Sequence, residues 1–373
     1  MQRRTFVQTG LSAGLLGVSG LSARTRPAQA APAAHPPAEI RLSSNENPLG
    51  ISPRARQAIL SGMADANRYP QARAPLIEAL AATHGVRSEN VILGAGSTEV
   101  LKMAVEAFAR PAGRLVLASP TYEDAEWYAG PGNLEIAKVP LTPDLAHDLD
   151  AMRKEAVSAS GPVCVYLCNP NNPTGTLTPS DAIDDWIASA PEHVSFIVDE
   201  AYFDFVTDPS YHTALGWITE RPNVLVARTF SKVHGMAGIR LGYGIAHPDT
   251  ASRLRRLQVR NNANHFALVA GRASLEDSEF VRRSIAVNER GKRIAKDCFN
   301  DLGIEVLPTH TNFLMHRIEG DLRRHIVRMR ERGIRVGRPF PPMLEYNRVS
   351  IGLPEEMERF AEALRVFRQS GWI

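Results

Sequence analysis

The sequence predicts an α/β protein: a mostly parallel sheet covered on both faces, followed by a smaller α+β lobe. That class rests on three features of the chain. Short apolar runs recur at Val91-Ile92-Leu93, Arg114-Leu115-Val116-Leu117, Val163-Cys164-Val165-Tyr166-Leu167, Ser195-Phe196-Ile197-Val198 and Val224-Leu225-Val226, with amphipathic stretches between them. Strands that are apolar on both faces and alternate with helices belong to a buried parallel sheet. Each run also ends in polar, turn-forming residues, and ligands of such sheets sit beyond the carboxyl ends of the strands. Finally, 373 residues with 44% hydrophobic and 22% charged content are enough for a large core and two lobes.

In chain order, residues 1–34 read as a leader. Arg3-Arg4-Thr5-Phe6 precedes a weakly apolar run from Val7, and Ala28-Gln29-Ala30 offers a small-x-small cleavage site. This is a twin-arginine export pattern, so the expected location is periplasmic or secreted. The run is too short and too weakly apolar for stable membrane insertion. Residues 35–70 form an arm and first helix. Leu42 to Gly50 is polar and without hydrophobic period, so it is ordered by what it touches. A helix follows from Pro53 to about Met63, capped by Ser52, and Asn67-Arg68-Tyr69-Pro70 makes an exposed turn. A second helix spans about Ala74 to His84 and opens the large domain, residues 71–265.

The small domain, residues 266–373, is helical with strand-like pieces at Thr311–Met315 and Arg348–Gly352. A net charge of +3 is too small for nucleic-acid binding. Cys164 and Cys168 share one strand and Cys298 sits in a helix, which predicts free buried thiols and no metal-ligand spacing.

The chemistry gathers at strand ends. After Val226 come Thr229, Ser231 and Lys232, then Arg240 eight residues beyond the lysine. Hydroxyls and an arginine fork hold a phosphate, and a lysine between them is free to bond covalently to what carries it. Gly94-x-Gly96-Ser97-Thr98-Glu99 leaves a strand and opens a helix from about Val100. The free N–H groups of a helix start suit the same phosphate, although simple capping by Ser97 or Thr98 gives the same pattern. A dinucleotide fingerprint is excluded by the missing third glycine. Asp199 ends an apolar strand with Tyr202 three positions on, and a buried carboxylate needs a partner such as a protonated ring nitrogen.

Asn171-Asn172-Pro173-Thr174-Gly175, Asp199-Glu200-Ala201-Tyr202 and Ser231-Lys232-x5-Gly238-x-Arg240 together resemble the class I/II pyridoxal-phosphate-dependent aminotransferases of fold type I. Asn45-Glu46-Asn47-Pro48, Asn67-Arg68-Tyr69-Pro70, Arg338-Pro339-Phe340 and Arg348-Val349-Ser350-Ile351-Gly352 make the chain most similar to the histidinol-phosphate branch. The resemblance runs from about residue 40 to the C-terminus and implies a seven-stranded sheet, pyridoxal phosphate as cofactor, and a homodimer with shared sites.

Residue by residue, it implies that Lys232 forms the Schiff base and moves the proton, that Asp199 holds the pyridinium, and that Tyr202 and Asn172 hold the ring's phenolic oxygen. Tyr122 is implied to stack on the ring. Ser97, Thr98, Thr229, Ser231 and Arg240 are implied to take the phosphate, with Tyr69 reaching the neighbouring subunit's phosphate. Arg348 is implied to grip the substrate carboxylate, with Asn47 and Asn312 near the substrate. Arg338 meets a distal anionic group or caps the small domain. His234 is read as loop packing. The expected reaction is transfer of an amino group from an L-amino acid, of histidinol-phosphate-like or aromatic type, to a 2-oxo acid. A decarboxylase, lyase or cyclising enzyme on the same cofactor is the alternative, and a non-enzymatic binding module is disfavoured by the retained lysine and aspartate.

Overall fold

Strands β1 (Ile40–Leu42), β2 (Val91–Gly94), β3 (Arg114–Ser119), β4 (Glu135–Pro140), β5 (Val163–Cys168), β6 (Val194–Asp199), β7 (Val224–Thr229), β8 (Gly242–Ala246), β9 (Phe313–Arg317), β10 (Ile334–Val336) and β11 (Tyr346–Ser350) make up three sheets. They come from a computed structural model that describes residues 39–132 and 134–373. The central sheet has seven strands in the order β2-β8-β7-β6-β5-β3-β4. All are parallel except β8, which runs antiparallel to both neighbours.

Period-two alternation decides which core each side chain enters. Along β5, Val163, Val165 and Leu167 face the layer that holds Trp186 and Phe196. Cys164, Tyr166 and Cys168 face the opposite layer, under the helix Ser97–Ala109. All three cysteines are buried and free. The register sets Cys168 beside Asp199 and Asp199 beside Ala227, so the polar ends of β5, β6 and β7 are level with one another.

Two strands of this sheet escape the sequence reading. β4 is an edge strand carrying Glu135 and Lys138, and only Val139 is buried along it, so it lacks a continuous apolar run. β8 contains Gly242 and Gly244, which weaken a strand reading. Here the glycines are a packing need, since a Cβ at Gly244 would lie 2.9 Å from both Leu225 and Val100. The helix expected from about Val100 starts at Ser97, which places Ser97 and Thr98 in its first turn.

The pieces expected at 311–315 and 348–352 are each displaced by two residues, as β9 and β11, which pair antiparallel with Arg348 opposite Met315. β1, from the polar arm, pairs parallel with β10. Both pack on a third core, formed with the helices Ser278–Leu302 and Pro354–Gln369.

That third core contains two histidines. His316 stacks on Phe299 with ring centroids 4.7 Å apart, and meets His325 edge-on at 5.7 Å. Burial pushes His316 down to about 3 and His325 down to about 4. Both stay neutral in the fold but take up protons in the unfolded chain below about 6.5. Their contribution is therefore fully present above pH 6.5 and is lost as pH falls from there towards 4. We expect a loss on the order of 6 kcal/mol by pH 4 from this pair, about 3 from each ring. Urea midpoints measured across that range should fall less steeply in His325→Phe than in the wild type; identical slopes would exclude the pair as the cause.

Candidate active site

The groups expected to take a phosphate assemble where β2 and β7 end and β8 begins. Gly96, at φ 81°, caps the helix Ser97–Ala109, whose first N–H groups have no intrahelical acceptor. Arg240 lies against this turn with φ 62°. Its Nη1 donates to the Ala237 carbonyl at 2.9 Å and lies 3.5 Å from Ser231 Oγ. Thr229 Oγ1 donates to Ser231 Oγ at 3.0 Å. Only glycine fits beneath the guanidinium, because a Cβ at Gly96 would run into Arg240 and one at Gly242 into the backbone of Ser97. The chain thus leaves room for a helix start, two hydroxyls and an arginine to face one small anion.

Lys232 lies above the sheet's carboxyl edge with its Nζ donating to the Asn45 carbonyl at 3.2 Å. Burial, helped by the Arg348 charge, pushes its amine down to about 8, so the neutral form is far more accessible near physiological pH than for an ordinary lysine. Asp199 is 2% exposed at the end of β6 and accepts from Tyr166 Oη at 2.8 Å and from the Ala201 N–H at 3.1 Å. Burial raises its carboxyl to about 6, against the pull of the Tyr166 hydrogen bond. The next residue anchors this edge: Glu200 is buried and takes Arg228 Nη2 at 2.8 Å and the Ala214 N–H at 2.9 Å.

The arm supplies the other side. Asn45, at φ 53°, donates from Nδ2 to Tyr202 Oη at 3.0 Å, and its N–H donates to Ser350 Oγ at 2.7 Å. Arg348 is 7% exposed, with Nη1 donating to Asn172 Oδ1 at 2.6 Å and Nη2 to the Ser43 carbonyl at 3.0 Å. Its buried Nε finds no acceptor among the described residues. Burial brings this guanidinium down to about 10. Tyr122 Oη and Thr98 Oγ1 both donate to Asp124 Oδ2, at 2.8 and 3.0 Å.

One cavity of about 730 Å³ gathers these groups, and Ser97, Thr98, Tyr122, Asn172, Asp199 and Tyr202 all line it. So do Thr229, Ser231, Lys232, Arg240, Arg338 and Arg348. Three expected residues stand off its wall. Asn47 donates to the Val233 carbonyl and to Ser284 Oγ, each at 2.8 Å, so it clamps the lysine loop to the helix Ser278–Leu302. Asn312 spends its Nδ2 on the Asn45 carbonyl at 3.0 Å and braces the arm. The Nδ2 groups of both are engaged with the protein itself, and the buried Oδ1 of Asn312 finds no donor among the described residues. Tyr69 is 78% exposed on its turn. Asn45, Tyr166 and Asp124 are contributors to which the sequence reading gave no role; Asn45 stands in the Asn45-Glu46-Asn47-Pro48 motif, while the signal of Tyr166 and Asp124 is the company they keep in space.

Residues 37–364 match the family of aminotransferases, class I and II. The histidinol-phosphate aminotransferase of Moorella thermoacetica is 39% identical over 330 residues, covering 87% of this chain and 84% of the relative. The chain belongs to the class I and II aminotransferases. Among solved structures, the protein assigned as the histidinol-phosphate aminotransferase of Erwinia carotovora atroseptica superposes with TM-score 0.88 at 38% identity, covering 90% of this chain and 97% of that one. The histidinol-phosphate aminotransferase of Sinorhizobium meliloti, solved with pyridoxal-5'-phosphate, gives TM-score 0.84 at 26% identity, with 89% and 91% covered.

This aminotransferase therefore has fold type I, falls in the histidinol-phosphate branch and takes pyridoxal phosphate as its cofactor. The residues present fit that cofactor. The glycine-floored cradle suits its phosphate, the buried Asp199 its ring nitrogen and the Lys232 amine its aldehyde. The exported location expected from residues 1–34 is corrected by these relatives, which are histidinol-phosphate aminotransferases, and nothing in the comparisons indicates an export signal. Two arginines before a weakly apolar run are a short pattern, outweighed by a match over most of the chain. That segment lies outside the described residues. Among the described residues no helix is long and apolar enough to cross a membrane.

Proposed function

We propose that this aminotransferase moves the amino group of a histidinol-phosphate-like or aromatic donor to a 2-oxo acid. The observation that carries this is the meeting of the Lys232 amine, the Asp199 carboxylate and the Arg348 fork in one cavity. Pyridoxal phosphate, when bound, supplies an aldehyde that captures the donor amine and a conjugated ring that accepts the electrons of a broken Cα–H bond. Lys232, already lowered to about 8, can hold a proton at Nζ and return it, acting in turn as base and acid. Asp199 keeps an acceptor oxygen at the cavity floor, oriented by Tyr166, where a protonated ring nitrogen would be stabilised. Tyr202, positioned by Asn45, and Asn172, positioned by Arg348, present polar atoms to the ring's other side. Ser97, Thr98, Thr229, Ser231 and Arg240 would hold the cofactor phosphate, and Tyr122, fixed by Asp124, would pack against its ring. Arg348, with its unpaired Nε, orients the substrate's anionic group.

We read the functional unit as a homodimer, with the exposed Tyr69 reaching the phosphate of the second copy's site. The deciding experiment incubates cofactor-loaded protein with 2-oxoglutarate and either histidinol phosphate, phenylalanine or tyrosine. Glutamate should accumulate, fastest with histidinol phosphate. Release of carbon dioxide without glutamate, or no product from any donor, would refute this function.

A further inference from the structure

A ping-pong transaminase that takes a phosphate-bearing donor and a 2-oxo acid must seat a phosphate and a carboxylate in one place. A phosphate-bearing donor carries a dianion one methylene and one oxygen farther from the amine carbon than the carboxylate of a 2-oxo acid. Arg348 lies at the inner end of that seat and Arg338 at the outer end. The two guanidiniums lie 4.5 and 4.3 Å from the centroid of the Phe340 ring they share. Arg338 is not idle, since its Nη2 donates to Glu123 Oε2 at 2.6 Å. Glu123 directly follows Tyr122, and it lines the same cavity as Arg338 and Arg348. Its charge and that of Arg338 both reach Arg348, acting on it in opposite directions behind the larger effect of burial.

The other charged groups on this side of the cavity have their own partners. Arg335 and Arg330 both face Glu39, Arg330 at 3.9 Å, and Glu46 holds Arg41 at 3.0 Å. Glu123 is therefore the carboxylate set against the outer arginine.

From this placement we propose that Glu123 is a specificity-determining residue: a built-in counter-ion that occupies Arg338 whenever the substrate brings only a carboxylate, and that a phosphate displaces. The inference rests on the function proposed above and names how that same site accepts both partners of the reaction. With a carboxylate on Arg348, the Arg338–Glu123 pair stays closed and the outer seat is neutral. With a phosphate, Arg338 turns to the dianion and Glu123 moves to solvent, which its 64% side-chain exposure allows. Exchange of one exposed ion pair for another changes binding only modestly, so neither substrate class is shut out. The competitor lowers affinity for the phosphate more than for the carboxylate, and that compresses the difference between them.

Glu123→Gln keeps the shape and removes the charge. On cofactor-loaded enzyme, calorimetry with two unreactive probes that lack the amine, 3-(imidazol-4-yl)propyl phosphate and 3-(imidazol-4-yl)propionate, reads the effect without turnover. We expect the phosphate probe to bind about five-fold more tightly in Glu123→Gln, with the carboxylate probe unchanged. The gain should vanish in an Arg338→Ala background and shrink with added salt. In steady state, KM for histidinol phosphate should fall by a similar factor with kcat held. Equal changes for both probes, no change for either, or a gain that persists without Arg338 would each overturn the proposal. Absence of turnover in the wild type would instead refute the function, while the calorimetric comparison would still decide the role of Glu123.

Discussion

Lys232→Ala is expected to abolish transamination, by at least about 10⁴-fold, in a protein that remains folded. The amine is the group in this cavity that can both bond to an aldehyde and carry a proton, and its lowered pKa makes it available for both. Structurally it is dispensable. Among the described residues the one hydrogen bond its Nζ makes is to the Asn45 carbonyl, and that oxygen keeps a second donor in Asn312 Nδ2 at 3.0 Å. No buried acceptor is orphaned, and removing a desolvated amine from beside Arg348 relieves a repulsion. Thermal midpoints should therefore stay close to the wild type. Borohydride treatment should fix the cofactor to the wild-type chain and leave the variant unlabelled. Measurable turnover at a wild-type rate would remove Lys232 from the mechanism.

How much of this could be seen beforehand depended on whether the physics was local. β3, β5, β6 and β7 were legible because strands buried on both faces are continuously apolar. Their ends were legible as site-forming because polar side chains immediately after such strands have nowhere else to point. Asp199 and Lys232 follow that logic, while Arg240 was legible from its spacing to the lysine.

Contacts made across long stretches of chain were not legible. The Asn45 carbonyl meets Lys232 across 187 positions, and a backbone oxygen carries no sequence signal. Tyr166 read as one more apolar residue of β5, and only the register with β6 makes its hydroxyl the partner of Asp199. The Nδ2 groups of Asn47 and Asn312 tie the lysine loop and the arm in place, through backbone carbonyls that carry no sequence signal. Glu123 stood unremarked beside Tyr122, because its meaning depends on Arg338, 215 positions away. β8 was hidden by its glycines, which the crowding of Leu225 and Val100 requires.

Asp199→Asn is expected to change activity and stability in opposite directions. The carboxylate at the end of β6 is kept in the protein interior at a cost. Burial raises it to about 6, so the unfolded chain ionises first as pH rises, and the folded state loses stability between about pH 4 and 6. Above that window the penalty is constant. Asparagine escapes it: its Oδ1 can keep the Ala201 N–H, 3.1 Å from Asp199 Oδ1, and its Nδ2, in the place of Oδ2, can donate to the Tyr166 hydroxyl, 2.8 Å away, which then acts as acceptor. At pH 8 the cofactor-free variant should be more stable than the wild type by about 2 kcal/mol, read as a higher urea midpoint.

Turnover should fall by about 10³-fold, because a neutral amide no longer holds a positive ring nitrogen where the reaction needs one. Cofactor should also be lost faster on dialysis. A variant that is both more stable and fully active would mean that the buried charge serves neither catalysis nor cofactor retention. The expected pair of results instead identifies Asp199 as a position where the fold gives up stability for function.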